Sequence, residues 1–238
     1  MKVLFSDYDG TIKTFDKRPN IIEKCTFKKN LLYIRKFIAS GNIFNITTGR
    51  SPESIRREIE KYNILYNYLT CYDGKITFDN KGKILSSSFI DEDILVGIRK
   101  LLLDKDLITK VVSYNKDGRV NSLDNSIVLY LFFNNFSEIK KYIDNIVGDK
   151  KDIKIEYSSF IKRVSITTKV NKETAASELI DFNDWNYSDI YSVGDGKNDL
   201  ELLTAYNGYK MLLSDPRLYY YIDDTTTSLH KLIKKINI

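Results

Sequence analysis

The chain has 238 residues, 42% of them hydrophobic and 29% charged, with a formal net charge of +5. That is the make-up of an ordinary globular protein with room for one large domain or two modest ones. It excludes a membrane-spanning protein, since no apolar run approaches the roughly 20 residues a bilayer requires. A nucleic-acid binder is not indicated either, because the lysines are dispersed among carboxylates rather than gathered in a tract.

The N-terminus begins its first strand at once, without a basic region, long apolar stretch or cleavage pattern, so the expected location is cytoplasmic. Cys25 and Cys71 have neither metal-ligand nor CxxC spacing and read as free thiols. His230 is the sole histidine, which excludes a histidine-based triad or a multi-histidine metal site. Acid–base chemistry must come from carboxylates, lysine or tyrosine.

In chain order, residues 2–6 read as a strand, and Leu31 to Ile38 carry helical spacing that Gly41 ends. Ile43 to Thr47 form the next strand. Ser51 and Pro52 then read as an N-cap and first helical position, and Tyr68 to Cys71 as a third strand. Strands separated by helices imply a parallel, right-handed βαβ arrangement. Lys75–Phe78 and Lys83–Ser88 flank Asp79-Asn80-Lys81-Gly82, a hairpin signal.

Beyond it come a helix around Ile94 to Leu102, strands at 109–114 and 126–133, a helix at 137–147 and a strand near 153–157. This stretch lacks the short βα alternation of its flanks. The predicted organisation is therefore a first core part at 1–81, an inserted α+β domain at 82–160 and a second core part at 161–238. The last part is read as strand 162–168, helix 172–182, strand 189–193, helix 198–205, strand 208–213 and a helix from about 228. The fold class is α/β, a Rossmann-like three-layer core with a parallel sheet plus the insertion.

Two acidic clusters carry the chemistry. Asp7-Tyr8-Asp9-Gly10-Thr11 ends the first apolar strand with carboxylates at i and i+2, facing one site beyond its C-terminal end. Gly194-Asp195-Gly196-Lys197-Asn198-Asp199 follows another strand. If both strands share a parallel sheet, four carboxylates converge on one place and suit a hard cation such as Mg²⁺. Lys172, Lys197 and Arg50, with Thr47 and Thr48 nearby in sequence, supply positive charge and hydroxyls that would let a phosphate approach. Carboxylate attack on phosphorus would then split one hard hydrolysis into two easier steps.

Four segments in order, Phe5 to Thr11, Ile46 to Arg50, Val170 to Lys172 and Ser192 to Asp199, together resemble haloacid dehalogenase-type phosphohydrolases. The likeness is to the Cof-type and sugar-phosphate phosphatase branch. It implies a Mg²⁺-dependent phosphatase acting on a small phosphorylated metabolite, with an α+β cap inserted after the third core strand. It further implies Asp7 as nucleophile, Asp9 as acid and base, Thr48 and Lys172 at the transferring phosphoryl group, and Gly10, Gly49, Arg50 and Asn198 lining the phosphate site. Asp7, the Asp9 carbonyl, Asp195 and Asp199, the last directly or through water, would hold the metal.

The chain departs from the family in having Asp73 before Gly74, where asparagine is usual, and Glu173 after the lysine. A phosphomutase and a low-turnover phospho-metabolite-binding regulator are the alternatives. A nucleotide-triphosphatase loop is excluded, since no GxxxxGK[ST] is present. The substrate's leaving group and the oligomeric state are not readable from the residues.

Overall fold

The computed structural model describes residues 1–15, 23–103 and 107–236. The chain alternates strands and helices: β1 (Val3–Ser6), α1 (Lys24–Ala39), β2 (Ile43–Thr47), α2 (Pro52–Tyr62), β3 (Tyr68–Cys71), β4 (Ile76–Asp79) and β5 (Ile84–Ser87). Then follow α3 (Glu92–Leu101), β6 (Ile108–Asn115), β7 (Gly118–Val120), β8 (Val128–Phe133), α4 (Phe136–Val147), β9 (Ile153–Ser158) and β10 (Arg163–Thr168). The chain ends with α5 (Lys172–Asn183), β11 (Ile190–Gly194), α6 (Leu200–Ala205), β12 (Asn207–Met211), β13 (Thr225–Thr226) and α7 (Leu229–Ile236).

Two compact units result. The first comprises Met1–Arg50, Arg56–Ser86 and Asn171–Ile238; the second comprises Ser51–Ile55 and Ser87–Val170. In the first, the strands run β13-β12-β11-β1-β2-β3-β4-β5. All neighbours from β13 to β3 are parallel, and β4 turns back antiparallel on β3. β1 lies in the middle, with Val3, Leu4 and Phe5 fully buried, so its sequence is continuously apolar rather than alternating. Ser6 is in register with Val193 on one side and Ile46 on the other. The residues that follow these three strands therefore leave the sheet at one edge. That edge is where open α/β sheets hold ligands.

The second unit is a five-stranded antiparallel sheet, β7-β6-β8-β10-β9. Ile94, Leu95, Ile98 and Leu101 of α3 and Ile139, Ile143 and Val147 of α4 join its buried cluster with Leu129, Leu131, Val164 and Ile166. Both helices present the i, i+4 spacing of an amphipathic face. Asn135 caps α4 by accepting from the Glu138 amide at 3.3 Å.

Both boundaries of the insertion need correction. The hairpin was split at 81/82, but β4 and β5 both belong to the core sheet. The second boundary, set at 160/161, falls ten residues early, since the second unit runs to Val170. β10 pairs antiparallel with β8 and β9 and does not enter the core sheet. A short strand rich in Val, Ile and Thr is suited to either sheet, and only its partners decide. The helix read at 198–205 is a 3₁₀ turn over Lys197–Asp199 followed by α6, because the Asp199 carboxylate takes the amides of Asp195 and Gly196. Among the described residues, no helix is long and apolar enough to cross a membrane.

Candidate active site

Asp7 leaves β1 with its amide bonded to the Val193 carbonyl at 2.9 Å, which ties the first acidic segment to the end of β11. Lys172 is the first residue of α5. Its turn is set by Asn171, whose side chain accepts from the Thr174 amide at 2.9 Å. From there the wholly buried Lys172 ammonium donates to Asp7 Oδ1 at 2.6 Å and to Asp199 Oδ1 at 2.7 Å. Three chain segments thus meet at one nitrogen.

Asp199 is held by both oxygens, Oδ2 accepting from the backbone amides of Asp195 (3.0 Å) and Gly196 (2.8 Å), while Oδ1 keeps an acceptor position beyond its bond to Lys172. Asp195 receives the Thr11 hydroxyl at 3.2 Å. Gly10 is required where it stands. It adopts φ +78°, and a Cβ there would lie 2.1 Å from Asp195 Oδ2.

Asp7, Asp195 and Asp199 each bring a carboxylate oxygen within 4.8 Å of the others. The electrostatics follow from that crowding. Burial pushes Asp7 well above the usual carboxylate range; Lys172 pulls it back and Asp199 and Asp195 push it up again. Burial, reinforced by Asp199, raises Asp195 to about 6. Burial opposes charge on Lys172, yet Asp7, Asp199 and Asp73 outweigh it and hold the ammonium above its ordinary range. Three carboxylates against one ammonium leave an excess of negative charge on hard oxygen donors. A small divalent cation fits that donor set.

Asp9 is brought to the same edge but not into the cluster. Its carboxylate is gripped by Arg50, Nε to Oδ2 at 2.5 Å and Nη2 to Oδ1 at 2.7 Å. Thr48 is buried, its amide bonded to the Thr70 carbonyl and its hydroxyl accepting from the Arg50 amide at 3.2 Å. Asn198 donates to Asp73 Oδ1 at 2.7 Å. A cleft of about 340 Å³ is lined by Asp7, Asp9, Thr48, Arg50, Asp195 and Asn198, with Gly49 and Gly196 between them.

Asp7, Asp9, Gly10, Thr48, Gly49, Arg50, Lys172, Asp195, Asn198 and Asp199 therefore lie at one place, whereas Lys197 is exposed and does not line the cleft. Two of the residues have other partners than expected. Arg50 meets Asp9, and Asn198 meets Asp73. The role of Asp73 was missed. It has φ 53°, a left-handed conformation that Asp and Asn tolerate best among side-chain-bearing residues. The departure from asparagine therefore keeps the backbone and adds a carboxylate at the rim. Tyr8, Lys13 and Glu58, behind Arg50, were also missed. Only the position of Tyr8 between the two aspartates could have drawn notice.

A family model described as haloacid dehalogenase-like hydrolase matches residues 4–126 and 109–231. The chain belongs to the haloacid dehalogenase-like hydrolase family. This agrees with the resemblance carried by its four motifs.

An uncharacterized protein of Mycoplasma capricolum subsp. capricolum is 26% identical over 237 residues, covering 86% of this chain and 88% of that protein. Among solved structures, a phosphatase of the family from Bacteroides thetaiotaomicron superposes with a TM-score of 0.75 at 17% identity, covering 100% of this chain and 95% of that one. A subclass IIB sugar phosphatase gives 0.69 at 16% identity, with coverages of 100% and 99%. TM0651 from Thermotoga maritima gives 0.75 at 16%, with coverages of 99% and 97%. At these identities the superpositions show a shared fold.

Proposed function

We propose that this family member is a Mg²⁺-dependent phosphatase that hydrolyses a small phosphorylated metabolite, of the sugar-phosphate class, through an aspartyl-phosphate on Asp7. The observation that carries the reading is the Lys172 ammonium bridging Asp7 and Asp199 at 2.6 and 2.7 Å inside a site that also holds Asp195. A buried lysine in a merely structural ion pair has no need of a second and third carboxylate and an open cleft.

Asp7, Asp195 and Asp199 would hold the cation with the Asp9 carbonyl, Asp199 directly or through water. Bound Mg²⁺ would supply positive charge that offsets the negative charge of the acidic cluster and of a phosphoryl group. Asp7 Oδ1 is fixed by Lys172, which leaves Oδ2 as the attacking atom. Its lone pair forms the O–P bond as the ester P–O bond breaks, and Asp9 delivers a proton to the departing oxygen.

In the second step Asp9 takes a proton from water as that water attacks phosphorus. The Asp7–phosphorus bond then breaks and phosphate is released. Lys172 offsets charge on the equatorial oxygens throughout, which is the larger part of catalysis in phosphoryl transfer. Thr48, Gly49 and Asn198 line the cleft where those oxygens would sit.

Purified protein with Mg²⁺ is expected to release phosphate from sugar phosphates and from p-nitrophenyl phosphate, and Asp7→Asn to abolish release. Undiminished release by the Asn variant would remove Asp7 as nucleophile. Isomeric sugar phosphates formed without free phosphate would convert the reading to a mutase.

A further inference from the structure

Behind the cleft lies a group of side chains that the reaction just described does not use. Tyr8 sits between the two reactive aspartates and is fully buried, with its ring under the Arg50 guanidinium at 5.1 Å from the centroid. Its hydroxyl donates to Glu58 Oε2 at 2.8 Å, and the same oxygen accepts from Lys13 Nζ at 2.6 Å. Lys13 closes the segment on itself: its amide bonds the Tyr8 carbonyl, and its carbonyl accepts from the Gly10 amide, both at 2.9 Å. The Asp9 backbone is thereby pinned, and its carboxylate plane is set by the two-pronged contact with Arg50.

We propose that Arg50 is a positioning residue for Asp9, and that Tyr8, tethered by Glu58 and Lys13, is the platform that aims it. The inference rests on the phosphatase reading and deepens it. It also moves Arg50 from the phosphate-binding role that the family resemblance implied.

A carboxylate on a single bond rotates freely, whereas two parallel N–H···O bonds from a planar guanidinium fix its plane. Proton delivery demands a heavy-atom distance of about 2.6–3.2 Å, so an Asp9 that turns away is a poor acid even when present. A ring face under the guanidinium fixes the other side of the fork. The tether from α2 fixes the ring, since Glu58 lies on that helix. Lysine in place of Arg50 would keep the charge and lose the fork.

The experiment compares substrates whose leaving groups differ in their need for a proton. p-Nitrophenyl phosphate expels a stable anion; a sugar or alkyl phosphate requires the acid. Arg50→Lys is expected to lower kcat on the alkyl phosphate roughly tenfold more than on the aryl one, with KM changed less than about threefold. Tyr8→Phe, which keeps the volume and cuts the tether, is expected to shift the ratio in the same direction by less. The double variant should be no worse than Arg50→Lys alone, because Tyr8 acts through Arg50.

A raised KM with kcat kept would make Arg50 a substrate ligand and overturn the proposal. Equal losses on both substrates, or losses that multiply in the double variant, would overturn it as well. Absence of turnover by the wild-type protein would strike the phosphatase reading instead. In that event a crystal structure of the Tyr8→Phe protein decides: Arg50 displaced from Asp9 supports the platform, and Arg50 still bound through both nitrogens refutes it.

Discussion

Lys172 is the residue on which the site's electrostatics turn. It is wholly buried and faces two carboxylates, one of them itself 1% exposed. Removing one member of a buried ion pair leaves the other uncompensated, at a cost of about 3–5 kcal/mol. Lys172→Met is therefore expected to lower the free energy of unfolding by an amount of that order in chemical denaturation, and to remove phosphate release. A variant as stable as the parent would show that Asp7 and Asp199 are not held charged by this lysine. Which residues mattered was readable where a motif spans consecutive positions, as in Asp7 to Thr11 and Gly194 to Asp199. It was not readable for Glu58 or Asp73, whose partners lie far away in sequence. Tyr8–Glu58 and Asp73–Asn198 are 50 and 125 residues apart, and no local pattern announces such a pair.

Elements place those residues. Asn171 precedes α5 in extended backbone and caps it, so the same residue starts the helix and sets the rotation at which its first residue, Lys172, enters the core. Asn171→Ala is expected to cost about 1 kcal/mol in unfolding free energy, the usual worth of an N-cap. It should also reduce kcat, because Lys172 loses its fixed start. Loss of stability with unchanged kcat would separate the cap from the placement of the lysine. The strands β2 and β3 and the helices α4 and α5 were legible from apolar spacing and punctuation, nearly to the residue. The three-residue β7 and two-residue β13 were missed, being too short to show a period. The partner of β10 was misjudged because Val, Ser, Ile and Thr suit an edge, an interior or either sheet equally.

At the scale of the molecule, the parallel register of β11, β1 and β2 makes segments from opposite ends of the chain into one acidic site. A cation held there binds the folded chain and has no preformed site in the unfolded one. Such binding stabilises by about 2.7 kcal/mol when the free ion is at roughly 100 times its dissociation constant. Millimolar Mg²⁺ is expected to raise Tm for the wild type and to raise it much less for Asp195→Asn. An equal rise in both would place the ion elsewhere. The α/β class and the presence of an insertion were legible from the change in strand–helix rhythm after Gly74. The limits of the insertion were not, since they depend on strand pairing.

The proposed covalent step can be tested directly. After brief mixing with Mg²⁺ and p-nitrophenyl phosphate, whose leaving group needs no acid, then acid quench and proteolysis, the peptide containing Asp7 should carry the mass of one phosphoryl group, and the Asp9→Asn protein, short of the base for the second step, should accumulate more of it. Steady turnover with that peptide always unmodified, and no adduct in the Asp9→Asn protein, would contradict attack by Asp7.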